Sequence, residues 1–79
     1  MYLETLKKII NEEFFVEEDK ITEDSLLKDD LGIDSLASMQ LILDVEKEYN
    51  IHVENEDVMS IETVADVIKL IDKKVKGEA

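Results

Sequence analysis

The stretch that decides the fold is DDLGIDSLASMQLILDVEKEY, residues 29–49. Acids run up to Gly32, and Asp34-Ser35-Leu36 then opens a long pattern of helical period. Leu41, Ile42, Val45 and Tyr49 fall on the inner side of a helix predicted from about Ser35 to Tyr49, with Asn50 as its stop. Aspartate and serine are both strong N-cap residues, so either can close the start of this helix. A serine placed there has two readings. It is a cap, or it is an exposed hydroxyl beside the free N–H groups and partial positive charge of a helix N-terminus, where a phosphate ester is stabilised.

The same periodicity extends outward in both directions. Leu3, Leu6, Ile9, Ile10 and Phe14 predict an amphipathic helix over residues 2–15. From Val16 to Asp34 the period fails, leaving a long polar connection with apolar anchors at Ile21, Leu26, Leu27 and Leu31 and a local turn over Thr22-Glu23-Asp24-Ser25. Loops of such length in a small domain are usually functional or mobile. Asn55 as N-cap, followed by Glu56 and Asp57 at the positive end of a helix dipole, predicts a short third helix. Thr63 and Asp66 form a relative of the capping box. Val64, Val67, Ile68, Ile71 and Val75 then give the stripe of a last helix ending near Lys74. The expectation is an all-α chain, a single domain over 1–79. It is a small four-helix bundle of three longer helices and one short one, with a long loop between helices 1 and 2.

Composition removes most chemistry. With no cysteine, the 79 residues cannot form disulfides, thiolate metal sites or cysteine nucleophiles, and the lone His52 excludes two-histidine motifs. His52 reads as an ordinary surface residue. Met39 and Met59 read as core or edge-of-core residues, or as the lining of an apolar pocket. A calcium loop of EF-hand type fails its template: Gly32 at position 6 puts Leu27 at position 1 and Ser38 at position 12. No specific metal site is expected, only weak divalent binding to clustered carboxylates. No phosphate-binding glycine loop is present, so nucleotide binding has no support. Net charge is −12, from 21 acids and 9 bases, which repels nucleic acid and anionic membranes and favours basic protein surfaces. The acid is concentrated. Residues 11–34 hold ten acids and two bases, while 35–50 hold three acids and one base. Without a signal peptide or membrane-spanning run, the expected form is a cytoplasmic monomer.

Three segments together resemble one family. DLGIDSL at 30–36, EKEYNIHV at 46–53 and SIETVADVIKLI at 60–71 are similar, in ungapped register, to segments of the acyl carrier proteins. These are small acidic four-helix proteins that bear a covalent 4′-phosphopantetheine arm on a serine. The resemblance implies Ser35 as the attachment point for an arm derived from coenzyme A. It also implies Asp34 as the acid read by a phosphopantetheinyl transferase, and Leu36 as an apolar docking residue. Acyl chains would travel as thioesters on the arm's thiol, and the protein itself would catalyse nothing.

The chain also departs from the fatty-acid carriers it resembles. They usually present acids two and five residues after the serine, where this chain has Ala37 and Gln40. The expected partner face continues through Leu43, Asp44 and Lys47, with Glu56 and Asp57 on the third helix. Asp34 departs from the glycine usual in peptidyl carriers, and Leu36 from the methionine usual in D-alanyl carriers. The reading that follows is a discrete carrier serving fatty acid biosynthesis, through acyl-transferring or fatty-acid and polyketide synthase enzymes with basic docking patches. Two alternatives stay open at this level: a carrier for a specialised acyl or polyketide-type pathway, and a non-covalent helical adaptor in which Ser35 is only a cap.

Overall fold

The computed structural model describes residues 2–77. Its helices are α1 (Tyr2–Phe14), α2 (Ser35–Tyr49), α3 (Asn55–Ser60) and α4 (Val64–Val75), with one 3-10 turn over Glu18–Lys20. The all-helical expectation holds, and the helix boundaries fall within a residue or so of those predicted. None of these helices is long and apolar enough to cross a membrane.

The helices meet through the residues their spacing selects. Leu6 and Ile10 of α1, Leu41, Ile42 and Val45 of α2, and Val64, Val67, Leu70 and Ile71 of α4 are buried together. α1 stops at Phe14 because Phe15 takes left-handed backbone at φ 61°. The Asn11 side-chain amide then donates to the Val16 carbonyl at 2.9 Å and fixes the exit. The Phe15 ring is 87% exposed. At the other end of this pair of helices, the Tyr2 and Tyr49 rings meet edge to face with centroids 5.5 Å apart.

The long connection is ordered, and it supplies core residues of its own. Ile21, Leu27, Leu31 and Ile33 are all buried. Ile33 was not among the predicted anchors, and Leu26, which was, is exposed and forms an isolated antiparallel bridge with Thr63. The bridge exists because the loop and the start of α4 satisfy each other's backbone. Val64 N–H donates to the Ser25 carbonyl at 3.1 Å, Ala65 N–H to Glu23 at 2.9 Å, and Leu27 N–H to Glu62 at 2.9 Å. Asp66 N–H is taken by Thr63 Oγ1, and Thr63 N–H by Asp66 Oδ2 at 3.1 Å. All four N–H groups that a helix start leaves without intrahelical partners are therefore satisfied at α4. Ser25 closes the turn foreseen at 22–25, its hydroxyl accepting from Thr22 N–H at 3.0 Å.

Two further expectations are corrected. The N-cap of α3 is Glu54, with Asn55 as the first helical residue; Asp57 reaches back to accept from Glu54 N–H at 3.2 Å. Val75 is exposed, because α4 projects past the core in its last turn, and Leu70 takes its place in the buried stripe. Asn50 ends α2 in left-handed backbone as predicted, and Glu46 holds the turn that follows by accepting from Val53 N–H at 2.8 Å.

The capping box at α4 yields a pH signature. Backbone N–H groups of Glu62 and Thr63 hold the Asp66 carboxyl below the usual carboxylate range. A depressed carboxylate contributes stability above its unfolded pKa of about 3.9, and that contribution disappears as pH falls through the folded value. Asp66→Asn is expected to be destabilised at pH 7, with the gap to wild type closing below about pH 3.9. Thr63→Ala is expected to lose about 0.5–2 kcal/mol at pH 7. Urea denaturation across pH 3–7 checks both.

Candidate functional site

The site forms where the loop hands over to α2. Gly32 sits at φ 71°, where a Cβ would meet no neighbour, so backbone conformation alone favours glycine in this turn. Ile33 is buried, and its N–H donates to the Leu27 carbonyl at 2.7 Å, which anchors the chain immediately before Asp34. Asp34 has extended backbone, and its Oδ1 accepts from Ala37 N–H at 2.9 Å. Its carbonyl accepts from Ser38 N–H at 2.8 Å. Asp34 is the cap. Ser35, the first helical residue, is exposed, and its hydroxyl makes no hydrogen bond to the described residues. The reading of Ser35 as only a helix cap is thereby overturned: the competing carboxylate holds that place.

At the start of α2 the Asp34 carboxylate takes the Ala37 N–H, and Ser38 N–H makes the first intrahelical bond, to the Asp34 carbonyl. The N–H groups of Ser35 and Leu36 have no acceptor among the described residues. They face outward beside the free hydroxyl, at the positive end of a fifteen-residue helix. Ser35 also lines an open cleft of about 560 Å³ between the N-terminal half of α2, the loop and α3. Ile33, Leu27, Val58 and Ile61 give the cleft an apolar interior, with Met39 and Met59 beside it. The methionines are exposed, Met59 at 84%, so of the two readings open for them the core one falls and the pocket-lining one stands. Lys28 and Asp29 lie along the same cleft on the loop side.

The predicted partner face is only partly assembled. Leu36 is 80% exposed, and Met39, Gln40, Leu43 and Lys47 follow it along the outer side of α2. Met39 was missed because an apolar residue at helical spacing reads as core. Ala37 is half-buried against the core and contributes little outer surface. Asp44 is turned toward α1. It accepts from Gln40 Nε2 at 3.5 Å, and its carboxyl beside Glu13 raises the Glu13 carboxyl above its usual range. Glu56 is exposed, whereas Asp57 pairs with Lys74 of α4 at 3.3 Å. Burial pushes the Asp57 carboxyl up, but the Glu54 N–H and Lys74 outweigh it and hold the group low. His52 lies outside the cleft, exposed between Glu46 (3.6 Å) and Glu54 (2.9 Å).

Comparison with known proteins bears on what this serine and cleft serve. A family model described as a phosphopantetheine attachment site matches residues 4–71. The chain belongs to that family. A curated acyl carrier protein of Thermotoga maritima is 41% identical over 70 residues, spanning 89% of this chain and 86% of its own length. Among solved structures, an acyl carrier protein from Thermotoga maritima superposes with TM-score 0.88 at 25% identity, covering 96% of this chain and 88% of its own. A putative acyl carrier protein from Mycobacterium tuberculosis superposes at 0.84 with 33% identity, covering 91% and 96%. Membership of the phosphopantetheine attachment family implies a covalent 4′-phosphopantetheine, and the family acts as a carrier of acyl groups.

The cap assignment is open to direct test. Asp34→Ala removes the only side-chain cap of α2 and is expected to lose about 0.5–2 kcal/mol. Ser35→Ala removes an exposed, unbonded hydroxyl and should stay within about 0.5 kcal/mol of wild type. Chemical denaturation of the unmodified protein measures both. A larger loss for Ser35→Ala than for Asp34→Ala would reverse the assignment.

Proposed function

We propose that Ser35 is the attachment point of the arm and that the chain delivers acyl thioesters to enzymes of fatty acid biosynthesis in the cytoplasm. The single observation that carries this reading is the unmade bonding at the start of α2: a free hydroxyl flanked by two free N–H groups. The residues fit the group. A phosphodiester on Ser35 Oγ would sit within reach of the Ser35 and Leu36 N–H donors and in the favourable end of the helix dipole. Its formation joins Ser35 Oγ to the phosphorus of coenzyme A's pantetheine phosphate and breaks the pyrophosphate bond. The adenosine bisphosphate leaves, and the hydroxyl proton passes to a base on the transferase. When attached, the arm supplies the thiol on which acyl groups ride as thioesters.

The chain's own residues do the rest by position. Asp34 fixes the helix start through Ala37 N–H and leaves Ser35 pointing outward. Leu36 stands beside it as an apolar contact for the transferase and for client enzymes. The cleft shelters the acyl chain; its volume lies within the range of small-molecule pockets, roughly 300–1,000 Å³. Among the described residues the Ser35 and Ser38 hydroxyls make no hydrogen bond to Lys28, Asp29, Asp34 or Glu62, the cleft residues that could act as bases, and His52 lies elsewhere. We therefore read the protein as a carrier without catalysis of its own.

One observation favours service to a specialised acyl pathway as a second reading. The outer side of α2 is apolar at Leu36, Met39 and Leu43, and its nearest acid, Asp44, is engaged with Glu13 and Gln40. A basic patch on a partner finds few anions on this helix.

Incubation with a phosphopantetheinyl transferase and coenzyme A is expected to add one arm to Ser35 and none to Ser25, Ser38 or Ser60. Intact mass and peptide mapping read this directly. No mass gain, or a gain that survives Ser35→Ala, sinks the carrier reading.

Partner chemistry separates the two pathways. If fatty-acid enzymes with basic patches are the clients, Gln40→Glu should raise kcat/KM for acyl transfer by up to about fivefold at low salt, an exposed ion pair being worth about 0.2–1 kcal/mol. The gain should fade as ionic strength rises. If apolar docking dominates, Leu43→Ser should lower kcat/KM at every salt concentration while Gln40→Glu changes nothing.

A further inference from the structure

Phe15 is the most exposed large hydrophobic residue among those described, at 87%, and it sits at φ 61°. The described residues that share its left-handed backbone are Gly32, Gly77 and Asn50. Glycine and asparagine suit that region, whereas an aromatic side chain there is strained. The ring contributes nothing to the fold. Phe14 and Val16 on either side of it pack against the core, and the left-handed turn carries Phe15 away from it. The bonds that shape the turn, Phe15 N–H to the Asn11 carbonyl at 2.9 Å and the Asn11 amide to the Val16 carbonyl, need no ring. Strain held at an exposed residue without a packing role points to function.

Two further observations set the kind of partner. Exposed acids flank the ring on both sides in sequence, Glu12 and Glu13 before it and Glu17, Glu18 and Asp19 after it. The nearest base in sequence, Lys20, is paired with Glu17 at 3.5 Å. Lys47 of α2 shares a recess with Glu12 and Glu13, but Asp44 and Glu48 line it too. The aromatic is therefore framed by negative charge. That frame repels a second copy of this chain, at net −12, and it repels an anionic membrane. It complements an apolar pocket rimmed by lysine or arginine. Position is the second observation. Tyr2 packs on Tyr49 and Glu13 lies beside Asp44, so α1 runs back toward the start of α2 and brings Phe15 toward the end of the bundle that holds Ser35.

We infer that Phe15 and its acidic frame form a second docking point for the enzymes that act on the arm, an inference that rests on the carrier reading above. The reacting thioester lies at the far end of a flexible arm, so a client enzyme can grip the protein away from Ser35. The ring enters an apolar pocket on that enzyme, and the acids meet the cations at its rim. Aromatic anchors of this kind carry much of the binding energy at protein interfaces. The contact is separate from the side of α2 that presents Leu36, Met39 and Leu43.

The test uses the full chain, Phe15→Gly and Phe15→Asn, each loaded by a transferase with coenzyme A and checked by mass for the arm at Ser35. Both replacements suit left-handed backbone, so both should melt at or above the wild-type temperature. The partner is a purified synthase enzyme that transfers acyl groups to the wild-type loaded protein. KM for the carrier should rise about five- to thirtyfold in both variants, the loss expected of one aromatic anchor, with kcat unchanged. Glu12→Gln combined with Glu18→Gln should raise KM about two- to tenfold at low salt and leave it unchanged at high salt. Unchanged KM in both Phe15 variants overturns the proposal. So does a lower melting temperature in both, which makes the ring a structural element, or a wild-type dimer that Phe15→Gly dissociates, which assigns the ring to self-association. A wild-type chain that gains no mass at Ser35 overturns the carrier reading and this proposal together.

Discussion

The architecture depends on a short exchange of backbone hydrogen bonds between the loop and the entry to α4. Ser25 and Glu23 carbonyls accept the first two N–H groups of α4, and Glu62 accepts from Leu27 in return. Each partner solves the other's problem. A helix start has donors with no acceptors, and a loop crossing a core has backbone polar groups that must be paired before they can be buried. Once the loop is tied down, Ile21, Leu27, Leu31 and Ile33 can be delivered to the core, and Gly32 turns the chain into α2 at a fixed place. The position of Ser35 is therefore set by bonds made some thirty residues away in sequence.

That dependence explains what the sequence discloses and what it withholds. α1, α2 and α4 are legible because an apolar residue every three or four positions has one geometric meaning, and Asn50 and Thr63 mark ends by side-chain chemistry that acts locally. The loop is not legible in the same way. Its order comes from backbone-to-backbone bonds, which any side chain permits and no spacing advertises. Ile33 was not among the predicted anchors, yet it is 1% exposed. Met39 and Met59 are the opposite case, exposed cleft-lining residues for which core and pocket lining were both open readings: helical spacing assigns an apolar residue a face, but cannot say whether another element covers it.

The site itself was legible as a junction, though not in its division of labour. Asp34 and Ser35 are equally good caps by type. Backbone conformation decides between them, since the cap must remain extended while its side chain reaches forward. Asp34 does so, and Ser35 enters the helix with its hydroxyl unspent. The acids of the expected partner face differ in setting. Asp57 pairs with Lys74 of α4, and Asp44 lies beside Glu13 of α1, so neither is simply offered to solvent. Charge counted along a sequence overstates charge available to a partner, because pairing across elements is invisible to the count.

The two helix starts at α2 and α4 differ in what the fold leaves undone. At α4 every leading N–H group is bonded, two of them by a distant loop, and the start serves only the architecture. At α2 the chain supplies an acceptor for Ala37 and Ser38 but none for Ser35 and Leu36. A domain able to complete one helix start so fully has no structural reason to leave the other open. The loop that completes α4 is also the wall of the cleft onto which Ser35 opens, so the bonds that satisfy the first start create the setting of the second. Weakening the loop's hold on α4 would therefore disturb the cleft and the core together, because Leu27 and Ile33 line the one and are buried in the other.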